Sequence, residues 1–152
     1  MDKTDKIQLL SPADTADIYR LECSSFREPW SEQAIREAFA YPGARVGGLF
    51  LGTELKGYYF AGTVLDEGEL MNLCVEKAFR RRGAGRALLQ HMEEQMREQQ
   101  VRFLYLEVRS QNLPARQLYH SQGYREIGLR PGYYGDDDAI LMKKEIDRVS
   151  CI

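Results

Sequence analysis

The sequence predicts an α+β fold, one mixed β-sheet covered by helices, in the order β-α-α-β-β-β-α-β-α-β-β. Three observations carry that expectation. The apolar period shifts from about 3.6 residues before Pro42 to strand-like alternation after it. A glycine-rich turn, Arg80 to Arg86, stands between an apolar strand and a long amphipathic helix. That helix leads into a second apolar strand, so Glu69 to Val108 forms a β-α-β unit with parallel strands and a right-handed crossover.

The elements follow in order. Ile7 to Leu10 is a short strand. Ser11-Pro12-Ala13-Asp14 starts a helix, with Ser as N-cap, Pro in the first turn and an acid at the third position. Ile18 and Leu21 give it an apolar face. Ser31 caps a second helix, with Ile35, Ala38 and Phe39 on one face, and Pro42-Gly43 stops it. Val46 to Leu51 and Leu55 to Val64 form a hairpin through Gly52-Thr53-Glu54. Asp66-Glu67-Gly68 makes the next turn, and Glu69 to Val75 extends the meander. Gly83 to Gln99 is a helix with Leu88, Leu89, Met92 and Met96 inward. Phe103 to Val108 is a strand. Asn112 to Gln122 is a helix with Pro114 in its first turn and Gly123 as its stop. Tyr124 to Gly128 and Ala139 to Met142 close the sheet.

A chain of 152 residues suits a single domain over 1–152, and 43% hydrophobic residues supply its core. The formal charge of −2 argues against a nucleic-acid binder, which carries a basic excess. Cys23, Cys74 and Cys151 are widely spaced and read as reduced thiols of a cytoplasmic protein. With only two histidines and no paired cysteines, no metal site is expected. Neither a signal peptide nor a membrane span is expected from the apolar runs.

The turn Arg80-Arg81-Arg82-Gly83-Ala84-Gly85-Arg86 is the most informative stretch. Glycines let backbone approach a ligand closely. The first N–H groups of the following helix lack intrahelical partners, and with the helix dipole they favour a phosphate. The arginines add charge and forked donors. A solvated basic run is the plainer alternative. A Walker A loop is excluded, because no Gly-Lys-Ser/Thr follows. A dinucleotide fingerprint fails at its third glycine, where Leu88 stands.

Glu107 ends an otherwise apolar strand. Leu104, Leu106 and Val108 share one face of it, and Phe103, Tyr105 and Glu107 the other. Either Glu107 pairs with an arginine such as Arg109, or it serves the crevice at the carboxyl ends of the parallel strands, where the glycine-rich turn also lies. Asn112 reads as an N-cap that also reaches a ligand amide. Tyr119, two helical turns on, is either core or a hydroxyl that needs a partner.

These residues resemble the GNAT acetyltransferases, whose acyl-CoA loop has the pattern Arg80-x-x-Gly83-x-Gly85. Pro29-Trp30-Ser31, Asn72-Leu73-Cys74-Val75, Leu106-Glu107-Val108-Arg109, Asn112 with Ala115, Leu118-Tyr119, Tyr133-Tyr134 and Asp138 to Met142 are similar to the branch that acetylates the N-terminal alanine of a ribosomal protein. The likeness runs from about Ile7 to Glu145. It implies that acetyl-CoA is the cosubstrate and a protein N-terminus the acceptor. Backbone groups of Leu73, Cys74 and Val75 would hold the pantetheine arm. Arg80, Arg81, Arg82, Gly83, Ala84, Gly85 and Arg86 would hold the pyrophosphate, and Asn112 the CoA arm. Glu107 would take the amine's proton, directly or through water, and Tyr119 would protonate the departing thiolate. Cys74 is expected to be a small buried residue, not a nucleophile. Trp30, Tyr133 and Tyr134 either line an acceptor slot or pack under loops. Asp136-Asp137-Asp138 either attracts a basic partner or forms a solvated loop. A small amine or a lysine side chain is the alternative acceptor. The protein is expected to act as a monomer.

Overall fold

The computed structural model describes residues 5–146. Cys151 and the first four residues lie outside that range. Seven strands form one sheet in the spatial order β1-β2-β3-β4-β5-β7-β6. Strands β1 (Asp5–Leu9), β2 (Arg45–Leu51), β3 (Glu54–Val64) and β4 (Glu67–Val75) run antiparallel to their neighbours. Strand β4 then pairs in parallel with β5 (Phe103–Arg109), and β5 pairs antiparallel with β7 (Ala139–Glu145). Strand β6 (Arg125–Arg130) lies outside β7. The element order matches the expected one. Most boundaries shift by one or two residues, and some shifts have a clear cause. Strand β4 begins two residues early, because the hairpin turn is Leu65-Asp66, with Leu65 at φ 55°. Strands β6 and β7 run to Arg130 and Glu145, because each finds a full partner in the sheet.

Helices cover both faces. Helix α1 (Thr15–Ser25) follows a short 3-10 turn at Pro12–Asp14, which Ser11 caps by accepting from the Ala13 N–H while Asp14 accepts from the Ser11 N–H. Helix α2 (Glu32–Phe39) starts at Ser31, whose hydroxyl accepts from the Ala34 N–H at 3.0 Å. Ile18, Leu21 and Ile35 of these helices pack with Tyr58, Phe60 and Cys74. On the opposite face, α3 (Ala84–Glu98) sets Leu88, Leu89, Met92 and Met96 against Tyr59, Leu104 and Leu106. Helix α4 (Leu113–Ser121) adds Tyr119 to the same core. None of the described helices is long and apolar enough to cross a membrane.

One irregularity positions everything that follows. Phe60 pairs with Asn72, but Ala61 pairs with Leu70, so Met71 is an extra residue in β4. Such a bulge bends its strand and ends regular pairing. Parallel pairing with β5 stops beside it, at Leu70↔Leu106. Beyond that point β4 continues to Val75 and β5 to Arg109, and the two strands diverge.

Candidate active site at the split between β4 and β5

The divergence opens a cleft of about 740 Å³. Both strand edges line it, from Leu70 to Val75 on one side and from Leu106 to Arg109 on the other. Along these edges the backbone N–H and C=O groups have no ladder partner across the gap. Apart from the Val75 carbonyl, which a side chain reaches, they must be satisfied by water or a ligand, since backbone polar groups are seldom left unpaired. An extended amide-bearing chain fits that edge as a strand would.

The glycine-rich turn closes one end. Gly83 sits at φ 80° as the N-cap of α3, a left-handed conformation that a side chain disfavours. A Cβ there would meet nothing within 4 Å, so the demand is on the backbone, not on space. The first turn of α3 closes with the Ala87 N–H on the Gly83 carbonyl at 3.0 Å. The N–H groups ahead of it are free for an anion. Gly85 has a different reason: a Cβ would lie 3.1 Å from Leu118 Cδ2, so the glycine lets α4 approach α3. Arg81, Gly83, Ala84, Gly85 and Arg86 all line the cleft. Arg80 lines it too, but its Nε donates to the Val75 carbonyl at 3.0 Å, tying the turn to the end of β4. Arg82 is outside the lining and lies over the Phe79 ring, 5.2 Å from its centroid.

Glu107, Asn112, Tyr119 and Tyr134 complete the wall. Glu107 is about a quarter exposed and pairs with Arg130 at 3.4 Å. The expected partner, Arg109, instead bonds Asp136 at 2.9 Å and stacks on Tyr134. Asn112 caps α4, its Oδ1 accepting from the Ala115 N–H at 3.2 Å, while still facing the cleft. Tyr119 is buried, with its ring edge against Tyr124 and no hydrogen bond to its hydroxyl among the described residues. Burial, with Tyr134 beside it, pushes the Tyr119 phenol well above its ordinary value, so it stays protonated at neutral pH. Burial likewise pushes the Cys74 thiol up to about 11. A thiol so raised is not a nucleophile near neutrality.

A smaller groove of about 330 Å³ adjoins the cleft on the α1–α2 face. Tyr41, Glu69, Met71, Tyr105, Glu107 and Arg130 contribute to it. Burial and the neighbouring Glu107 raise the Glu69 carboxyl above the usual range. Two of the three aromatic residues expected near an acceptor stand apart from both cavities. Trp30 packs on Phe60 with ring centroids 5.5 Å apart, and Tyr133 is 54% exposed. The acidic run is exposed at Asp136 and buried at Asp137, and each of its carboxylates has a partner. Asp136 bonds Arg109, Asp137 holds the Ser110 hydroxyl and the Gln111 N–H, and Asp138 accepts from the Gly132 N–H at 2.7 Å.

Sequence reasoning missed Glu22. Its carboxylate is 1% exposed and sits at the junction of α1, β3 and β4. The signal was there: with Ile18 and Leu21 it occupies the apolar stripe of α1, where a charge is out of place.

The Acetyltransferase (GNAT) family matches residues 15–124 of the chain. The [ribosomal protein bS18]-alanine N-acetyltransferase of Salmonella typhimurium is 38% identical over 142 residues, covering 90% of this chain and 94% of the relative. The crystal structure of the ribosomal-protein-S18-alanine N-acetyltransferase from Escherichia coli superposes with a TM-score of 0.89 at 31% identity, covering 97% of each chain. Ard1 from Thermoplasma volcanium shares the fold, with a TM-score of 0.88 at 24% identity over 95% of this chain and 99% of that one.

Proposed function

This chain belongs to the GNAT family of acetyltransferases, and we propose that it moves an acetyl group from acetyl-CoA to the N-terminal α-amino group of a protein, with the N-terminal alanine of a small-subunit ribosomal protein as acceptor. The observation that carries the acceptor is the 38% identity with an alanine N-acetyltransferase across nearly the whole of both chains.

The cleft suits the cosubstrate by its chemistry. Acetyl-CoA has an extended, amide-bearing arm joined through a pyrophosphate to a nucleoside, and the family uses it as acyl donor. The open β4 edge at Leu73, Cys74 and Val75 offers strand-like hydrogen bonds to the arm. The free N–H groups of Gly83, Ala84 and Gly85, with Arg81 and Arg86, offer an anion site for the pyrophosphate. Arg80 supports that turn from behind, and Asn112 borders the arm's path.

The thioester supplies the acyl group; the chain supplies proton handling. An α-amine has a pKa of about 7.7–8.0, so at pH 7 most of it is protonated and unreactive. Glu107 faces the split from the acceptor side of the sheet and takes that proton, directly or through water. The free amine then attacks the thioester carbonyl, the C–S bond breaks, and the amide nitrogen releases its surplus proton to solvent, which afterwards restores the Tyr119 hydroxyl. Tyr119, whose protonated hydroxyl lacks an internal partner, donates its proton to the departing thiolate. Tyr134 lies near both groups and bounds the acceptor entrance.

The test is release of thiol from acetyl-CoA with a peptide beginning Ala-Arg, beside the same peptide already N-acetylated, with mass spectrometry locating the acetyl group. Release with the free N-terminus alone supports the reading. Release with only small amines or lysine side chains moves the acceptor to that class, and no release overturns the reading.

A further inference from the structure

Glu22 is buried with no cation within ion-pair distance among the described residues. Such a group persists only when its oxygens are hydrogen-bonded. Glu22 Oε2 accepts from the Trp30 N–H at 3.0 Å. Its Oε1 accepts from the Tyr58 hydroxyl and from Asn72 Nδ2. Burial raises the Tyr58 phenol, so that group remains a donor. Three elements and the α1–α2 connection therefore meet on one carboxylate.

The consequence lies in Asn72. An asparagine amide has a donating end and an accepting end, and its environment chooses which way it points. A carboxylate only accepts, so it draws the NH₂ end inward. The Tyr58 oxygen, 3.3 Å from the same nitrogen, reinforces that choice. The accepting end, Oδ1, has no partner among the described residues, and Asn72 lines the cleft. Asn72 pairs with Phe60 of the α1–α2 face, the face that also carries Glu107. It stands one residue past the bulge, where β4 leaves β5. An amine entering the split would meet Glu107 on one strand and Asn72 on the other.

We infer that Asn72 is an acceptor-binding residue whose Oδ1 takes a hydrogen bond from the incoming α-amino group, and that Glu22 is the positioning residue that fixes its orientation. The inference rests on the amine-acetylation reading above. Its physical merit is that the amine gains positive character as it attacks, and an amide oxygen backed by a buried carboxylate favours that charge. Trp30 is held by the same carboxylate, which registers the acceptor wall against the bulged strand.

The test uses two variants of the full chain, Glu22→Gln and Asn72→Ala. In Glu22→Gln the new carboxamide donates as well as accepts, so Asn72 can turn its oxygen inward and present NH₂ to the cleft. Both variants should raise the peptide KM and lower kcat/KM for the peptide roughly ten- to hundredfold, the size of a hydrogen bond to a charged group. The KM for acetyl-CoA should stay at the wild-type value, because the α3 turn and the β4 edge from Leu73 onward are untouched. If Glu22→Gln does not fold, Asn72→Ala decides alone. Peptide KM unchanged, or both KM values moving together with the melting temperature, overturns the inference and leaves Glu22 structural. Wild type inert towards the peptide overturns the acceptor reading and this inference together; active wild type with equally active variants overturns this inference only.

Discussion

The two sides of the cleft are built by different means. On the side proposed for the cofactor the groups on offer are backbone: the open edge of β4 and the first N–H groups of α3. On the acceptor side they are side chains from distant parts of the chain: Glu22 and Trp30 from the first 30 residues, Asn72 from β4, Glu107 from β5, Arg130 and Tyr134 from the end. A backbone site needs a turn, a glycine and a helix start, all local. A side-chain site needs long-range packing. The first tolerates most side-chain changes and fails when the backbone is forced; the second should fail one residue at a time.

The sharpest test of that contrast is Glu107→Gln. It keeps shape and removes the base, so kcat should fall about a hundredfold or more, in the range of general acid–base effects. Binding of CoA, measured by titration calorimetry, should be unaltered. Tyr119→Phe should follow with a rate loss of about tenfold or more and the same intact binding. Full activity in both would remove the proposed proton route.

Gly83→Val attacks the other side. The site has room for the side chain, so what changes is the cost of holding φ near 80°. A strained left-handed position costs about 1–3 kcal/mol, which predicts CoA binding weaker by roughly tenfold. At saturating acetyl-CoA, kcat should recover. A loss of kcat that saturation does not restore would mean that the turn also shapes the acceptor side, against the division drawn here.

Cys74 lies on the border of the two sides. With its thiol pushed up to about 11, iodoacetamide at pH 8 should leave it unmodified while the exposed Cys23 reacts, as peptide mapping would show. Rapid alkylation of Cys74 in the folded protein would contradict its place in the packed wall.

This division also explains what was legible in the sequence. The element order, the parallel pair and the glycine-rich turn ahead of a helix follow from periodicity and local turn chemistry, and the structure has them. The bulge at Met71 carries no sequence signal, since the extra residue is apolar like its neighbours and only the register with β3 reveals it. The insertion of β7 between β5 and β6 is equally silent, because strand adjacency depends on which edge is open. Glu107 was visible as an acid on an apolar strand, but its partner was not: Arg109 was nearest in sequence, whereas the fold brings Arg130 to it across the sheet. The run Asp136 to Asp138 looked like surface charge because composition cannot show that each carboxylate holds a specific donor and that Asp137 is buried.

The smallest expected effect concerns that run. The Ser110 hydroxyl, with the Gln111 and Asp138 N–H groups, holds the Asp137 carboxyl below the usual range. A group lowered in the folded state stabilises it above its unfolded pKa, about 3.9, and loses that contribution as pH falls through its folded value. Asp137→Asn keeps one accepting oxygen and removes the titration. At pH 7 the variant should melt a few degrees lower than wild type. As pH falls below the unfolded value and on through the lowered folded value, the two curves should converge, since wild-type Asp137 then becomes protonated as well. A gap that stays constant across that whole range would mean that Asp137 contributes through shape alone. Its charge would then not be what pins the loop that carries Ser110 and Gln111 at the foot of α4.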